Sequence, residues 1–121
     1  MKRDMDLTRS ILLLLNDHEH GYAPRRLNIP GYSDEQIYYH CFILGEARLI
    51  LVSDSSDNNS LSPEAIPIRL TWSGHEFIEN AQNEGVWSQA KAAVNKLGDV
   101  SFSVWASVIA KIVEQNLGID R

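Results

Sequence analysis

A chain of 121 residues with a formal net charge of −5 is long enough to bury one core without staples. It offers no global basic field to draw it onto nucleic acid. The acidity lies in residues 1–84, with 7 Lys/Arg against 13 Asp/Glu, while residues 85–121 carry 4 against 3.

Asp4 or Asp6 is placed to cap a first helix running to about Asn16, with Leu7, Ile11, Leu14 and Leu15 on its inner face. The apolar run from Ile11 to Leu15 is too short for a signal peptide or a membrane span, so no membrane association is expected. Residues 17–32 hold two prolines and two glycines and read as a loop, with a short extended piece at Leu27–Ile29. Ser33-Asp34-Glu35-Gln36 is a capping box, and the helix it opens is predicted to reach about Ala47. Leu49–Val52 reads as a strand, with Ile66, Ile68 and Leu70 alternating as its partner. The polar tract between them becomes the tip of a long hairpin. Thr71 is placed to cap a helix over about 72–83, striped by Phe77, Ile78 and Ala81. Trp87, Ala90, Val94 and Leu97 stripe another helix; Phe102, Trp105, Ile109 and Ile112 stripe a last one, separated from it at Gly98-Asp99.

Helix, loop, helix, hairpin, helix is the order of a winged helix-turn-helix domain. The expected class is therefore α+β, mostly α, with a long β-hairpin wing and two additional C-terminal helices. Residues 1–84 would form the winged-helix-like domain. Residues 85–121 would be a helical extension that packs on it or forms a dimer interface. "SDEQIYYHCFILGEARLILV" resembles the fold's helix running into its first wing strand, and "RLTWSGHEF" resembles the return strand and next helix start. The chain is more similar still to a family of small phage and prophage proteins. Those open on a segment like MKRDMDL, contain a "GYS-x-E-x-I-x-YH" stretch and "LTW-x-GHEF", and end in a Trp-containing helix pair. That resemblance implies a fold and a phage-related origin, and it carries over no biochemical activity. One departure stands out: Arg48 occupies the place where winged helices usually have a turn glycine before the strand.

Most winged helices bind DNA, through arginines on base edges and a basic wing on phosphates. Here residues 33–47 contain no Lys or Arg and three acids, and residues 53–64 carry Asp54, Asp57 and Glu64 with no cation. A surface without cations forgoes the counterion release that supplies most of the affinity. Arg25 and Arg26, beside Pro24, are the residues that a DNA-binding transcriptional regulator would use, together with helix 33–47. On that helix Ile37, His40, Cys41 and Leu44 share an inward face. Tyr39, Phe42 and Ile43 lie opposite, to be covered by residues 86–117 or by a second chain. Trp105 and Ile109 of the last helix join them as candidate interface residues of a homodimer.

His18 and His20 lack the further ligands of a tetrahedral metal set. His40 reads as a satisfied core histidine and His75 as a structural hydrogen-bonder. No phosphate loop, catalytic dyad or triad is present in the sequence, so neither an enzyme nor a cofactor is expected. Cys41, the single cysteine, excludes an intrachain disulfide and fits a reducing cytoplasm. The functional expectation is a cytoplasmic protein acting through self-association and a host or phage protein partner.

Overall fold

The computed structural model describes residues 1–118. The elements are α1 (Met5–Asp17), α2 (Asp34–Glu46), β1 (Ile50–Asp54), β2 (Ala65–Leu70), α3 (Trp72–Ala81), α4 (Glu84–Asn95) and α5 (Phe102–Leu117). They make an α+β, mostly α, winged-helix-like chain with a hairpin wing and two further C-terminal helices. The chain forms two compact units, Met1–Ile78 and Glu79 onward.

In the first unit α2 is the central element. It packs against α1 and against both strands, while α1 also reaches β2. Asp4, not Asp6, caps α1: its Oδ1 accepts the Leu7 N–H at 3.0 Å. Leu7, Ile11, Leu12 and Leu15 are buried from α1, and Ile37, Cys41 and Leu44 from α2. Leu12 therefore takes the inward place that the spacing assigned to Leu14, which is only half-buried. Residues 27–29 form no strand, although Leu27 is buried and gives its N–H to the Tyr38 hydroxyl at 3.4 Å.

Both bonds of the predicted capping box are present. Gln36 N–H donates to Ser33 Oγ at 3.1 Å, and Ser33 N–H donates to Gln36 Oε1 at 2.8 Å. At its other end α2 stops in a two-bond turn. Arg48 N–H donates to the Gly45 carbonyl at 3.0 Å and Leu49 N–H to the Leu44 carbonyl at 3.1 Å. That turn needs a left-handed residue in its penultimate place, and Arg48 supplies it with φ +62. A side chain there costs about 1 kcal/mol that glycine avoids. Arg48→Gly is accordingly expected to stabilise the first unit by about 0.5–1 kcal/mol, after allowing for the entropy glycine adds to the unfolded chain. Urea denaturation checks this, and a lowered midpoint would show that the turn carries no such strain.

The hairpin corrects one sequence expectation. β1 and β2 pair antiparallel, with Ile50 opposite Leu70, Leu51 opposite Arg69 and Val52 opposite Pro67. One extra residue of β2, Ile68, is thus accommodated between the last two pairs. The bulge resets the side-chain alternation. Ala65, Pro67 and Leu70 face inward, whereas Ile66 and Ile68, which plain alternation puts on one face with Leu70, face out. Pro67 has no N–H to give a ladder and suits such a place. The Ile68 carbonyl is taken instead by the Ala23 N–H at 2.8 Å.

Thr71 closes β2 into α3. Its N–H donates to the Leu49 carbonyl at 3.0 Å, its hydroxyl donates to the Arg48 carbonyl at 2.7 Å, and its Oγ1 accepts the Gly74 N–H at 3.1 Å. Gly74 is buried at this crossing, where a Cβ would run into the Leu49 carbonyl oxygen. Gly45 serves α2 in a milder way, since a Cβ there would meet Val52 Cγ2 at 2.6 Å.

In the second unit Asn83 caps α4 through the Val86 N–H at 3.0 Å, and α4 packs on α5. Val86, Trp87, Ala90 and Val94 are buried from α4, and Trp105, Ile109 and Ile112 from α5. Leu97, expected in the α4 stripe, is exposed because the helix ends at Asn95, ahead of left-handed Gly98.

Candidate interaction surface

The polar groups that sequence reading singles out turn out to be mostly tied up in architecture. His40 is buried, with Nδ1 2.8 Å from the Gln36 carbonyl and Nε2 2.9 Å from the Asp4 N–H. The neutral tautomer protonated at Nδ1 satisfies both bonds. Asp4 is the hub of that corner, because its Oδ2 also accepts the Tyr32 hydroxyl at 3.1 Å. Burial and the adjacent Asp4 carboxylate push the Tyr32 phenol above its ordinary pKa. The segments MKRDMDL and GYSDEQIYYH therefore meet in space through Asp4, Tyr32 and His40, fixing the start of α1 to α2. Cys41 beside them is wholly buried, and burial pushes its thiol up to about 12. His18 lies edge-on to His20 at 5.5 Å, and among the described residues no cluster of His, Cys, Asp or Glu is built to hold a metal.

The predicted interface residues fall into two groups. Tyr39, Phe42 and Ile43 are half-buried on α2, with the Tyr39 ring edge-on to His40. Trp105 and Ile109 are buried, at 7% and 1% exposure. Trp105 stacks on Trp87 with ring centroids 5.1 Å apart, so α4 already covers it.

Arg25 and Arg26 also part company. Arg26 pairs with Asp34 at 3.1 Å, both side chains well exposed. Arg25 lines a cleft of about 230 Å³ with Tyr38, Ser55, Glu64 and Ile66. The wing tip beside it is acidic and internally bonded. Asp54 accepts the Ser56 N–H at 2.9 Å, which lowers its pKa, and the Ser62 hydroxyl donates to Glu35 of α2 at 2.7 Å.

The outside of the hairpin and Trp72, two residues past its end, are open. Leu51 is 42% exposed, Ile66 52% and Ile68 36%, and Trp72 at the start of α3 is 81% exposed. The sequence reading missed this face because it kept Ile66 and Ile68 in one alternating set with Leu70, which is buried. Pro67 was the available signal: a proline inside a strand marks an edge or a bulge, and a bulge flips the face of whatever precedes it.

No helix among the described residues is long and apolar enough to cross a membrane. The family described as "Hypothetical protein (DUF2513)" matches residues 2–100. A Haemophilus influenzae protein described as "Uncharacterized protein" is 35% identical over 119 residues, which is 97% of this chain and 99% of that one. No solved structure matches the chain.

Proposed function

The chain belongs to the DUF2513 family, and from that footing we propose that it is a non-enzymatic protein acting through protein–protein contacts: self-association plus a partner of host or phage origin. The observation that carries this reading is Trp72, 81% exposed two residues after β2, the strand whose Ile66 and Ile68 are exposed as well. Tryptophan is the residue type most enriched at binding hot spots, and contiguous exposed apolar surface marks interaction sites. The non-enzymatic part rests on the nucleophile and base candidates. His40 has both ring nitrogens bonded to main chain, and the Cys41 thiol is buried and held protonated. A cytoplasmic setting belongs to the same proposal and follows from that free thiol.

A small DNA-binding transcriptional regulator is the alternative, and three features weigh against it. α2 presents no cation, the wing tip is acidic, and Arg26 is already paired with Asp34. Titration of random duplex at physiological salt is expected to give a dissociation constant weaker than about 10⁻⁶ M, the tight end of non-specific binding. Tighter binding that Arg25→Ala/Arg26→Ala flattens in its salt dependence would favour the regulator instead. For the contact reading the test is quantitative co-purification from a bacterial host, comparing the wild type with Trp72→Ser/Ile66→Ser. A specific partner retained by the wild type and lost by the folded variant supports it. Identical partner sets would overturn it.

A further inference from the structure

The two edges of the hairpin are treated differently. The β2 edge carries Pro67, a bulge and the Ala23 main-chain bond, which are ordinary ways of blunting a sheet edge. The β1 edge has none of these. Among the described residues β1 packs chiefly on β2 at its side and on α2 beneath it. Outside the ladder with β2, no main-chain hydrogen bond from the other described residues reaches Ile50 to Asp54. The strand is aliphatic for three residues, with Leu51 turned outward. Packing on α2 stabilises this two-stranded ribbon, but it leaves the main-chain groups along the β1 edge open to pairing with another strand.

Charge decides what fits that edge. The strand begins just after a cation, Arg48, and ends on an anion, Asp54, with Asp57 and Glu64 beyond it. Arg48 has no ion partner among the described residues. An antiparallel copy of the same strand presents its anionic end to that cation, and does so twice about a two-fold axis. We propose that the β1 edge pairs with the β1 edge of a second copy, Leu51 facing the partner's Leu51 and Arg48 facing the partner's Asp54. The two hairpins then form one four-stranded sheet. Its outer face joins Leu51, Ile66 and Ile68 of both copies into one apolar strip. The proposal rests on the contact reading above and names the surface that carries self-association.

The register is read by cysteine scanning of the full chain. Cys41 is silent in such a scan, being wholly buried with its thiol protonated. Residues facing their own copies across an antiparallel pair have Cα atoms about 4.5–5.5 Å apart, inside the range of roughly 4.4–6.8 Å that a disulfide spans. Residue 53 would instead face residue 49 of the other copy and lie roughly 14 Å from its own counterpart. In oxidised glutathione, Leu51→Cys is expected to form a covalent dimer of twice 13.7 kDa. It should do so at least about tenfold faster than Ser53→Cys or Ile66→Cys, a margin chosen against the steep distance limit on disulfides. Equal rates at 53 would overturn the register, and equal rates at 66 would mean stacking of faces instead of edge pairing.

Charge reversal supplies a second readout on folded, cysteine-unmodified protein. Arg48→Asp and Asp54→Lys are each expected to loosen the dimer about threefold to tenfold, since two exposed ion pairs are inverted. The double variant should restore it, and a double variant weaker than either single one would overturn the pairing. Light scattering that gives 13.7 kDa for the wild type at its highest soluble concentration would also sink the proposal. Should a Trp72-dependent partner still be captured by that monomer, the contact reading would survive and only self-pairing would fall.

Discussion

Gly74→Ala is expected to destabilise the first unit by about 3 kcal/mol or more. By helix propensity alone the sign would be opposite, because replacing glycine by alanine inside a helix gains about 1 kcal/mol. Geometry overrides propensity here. A Cβ at 74 runs into the Leu49 carbonyl oxygen and lies 3.0 Å from its carbon and 3.1 Å from Leu70 Cδ2. The obstructing atom is main chain and cannot swing aside. It is held by the Thr71 N–H at 3.0 Å and lies 3.1 Å from the Thr71 hydroxyl. Relief requires α3 to move off the hairpin base, where Leu49 and Leu70 are buried against Gly74. Urea denaturation of Gly74→Ala beside Ser73→Ala, one position back and exposed, checks this. A Gly74→Ala midpoint at or above that of the wild type would refute the close approach.

How much of this was readable in the sequence depends on the range of each interaction. The Ser33 capping box and the Thr71 cap are written within four residues, and both form as the local spacing predicts. The departure at Arg48 was legible as a missing glycine. Its consequence, an arginine held at φ +62, became definite only with the turn geometry. The Asp4–His40 bond joins residues 36 apart. Period and propensity cannot reach across that distance, so His40 read as a core histidine without its partner. The hairpin failed for another reason. Alternation was counted straight through Pro67, whereas the bulge at Ile68 resets it, so Ile66 and Ile68 were grouped with Leu70 and the exposed face they form went unrecognised. The α2 outer residues Tyr39, Phe42 and Ile43 were recognised as a second apolar side, and in the folded chain they are half-buried. Trp72 stood in full view inside LTWSGHEF, but nothing local distinguishes a tryptophan bound for the surface from one bound for the core.

Trp105→Ala is expected to cost about 3–5 kcal/mol and to undo the packing of α4 on α5, as removal of a buried tryptophan does. Trp105 is 7% exposed, stacks on Trp87 at 5.1 Å with an interplanar angle of 23°, and sits one helical turn from fully buried Ile109. Two helices supply few other large side chains to this unit, so the cavity left behind has little with which to fill itself. Trp87→Ala should cost a similar amount. Because the two rings stack on each other, the double variant should lose clearly less than the two single losses added together. The emission of the three tryptophans separates the outcomes. Trp72, exposed, reports water throughout, whereas Trp87 and Trp105 report the α4–α5 contact and shift to longer wavelength only when that contact opens. The same variant discriminates between two roles for Trp105. A residue that closes an intermolecular interface would, when truncated, lower the assembled mass and leave the chain's denaturation midpoint within about 1 kcal/mol of the wild type. A residue that holds α5 to α4 would lower the midpoint at every protein concentration. The stacked geometry predicts the second result, and a concentration-dependent loss of mass at unchanged midpoint would return Trp105 to the interface.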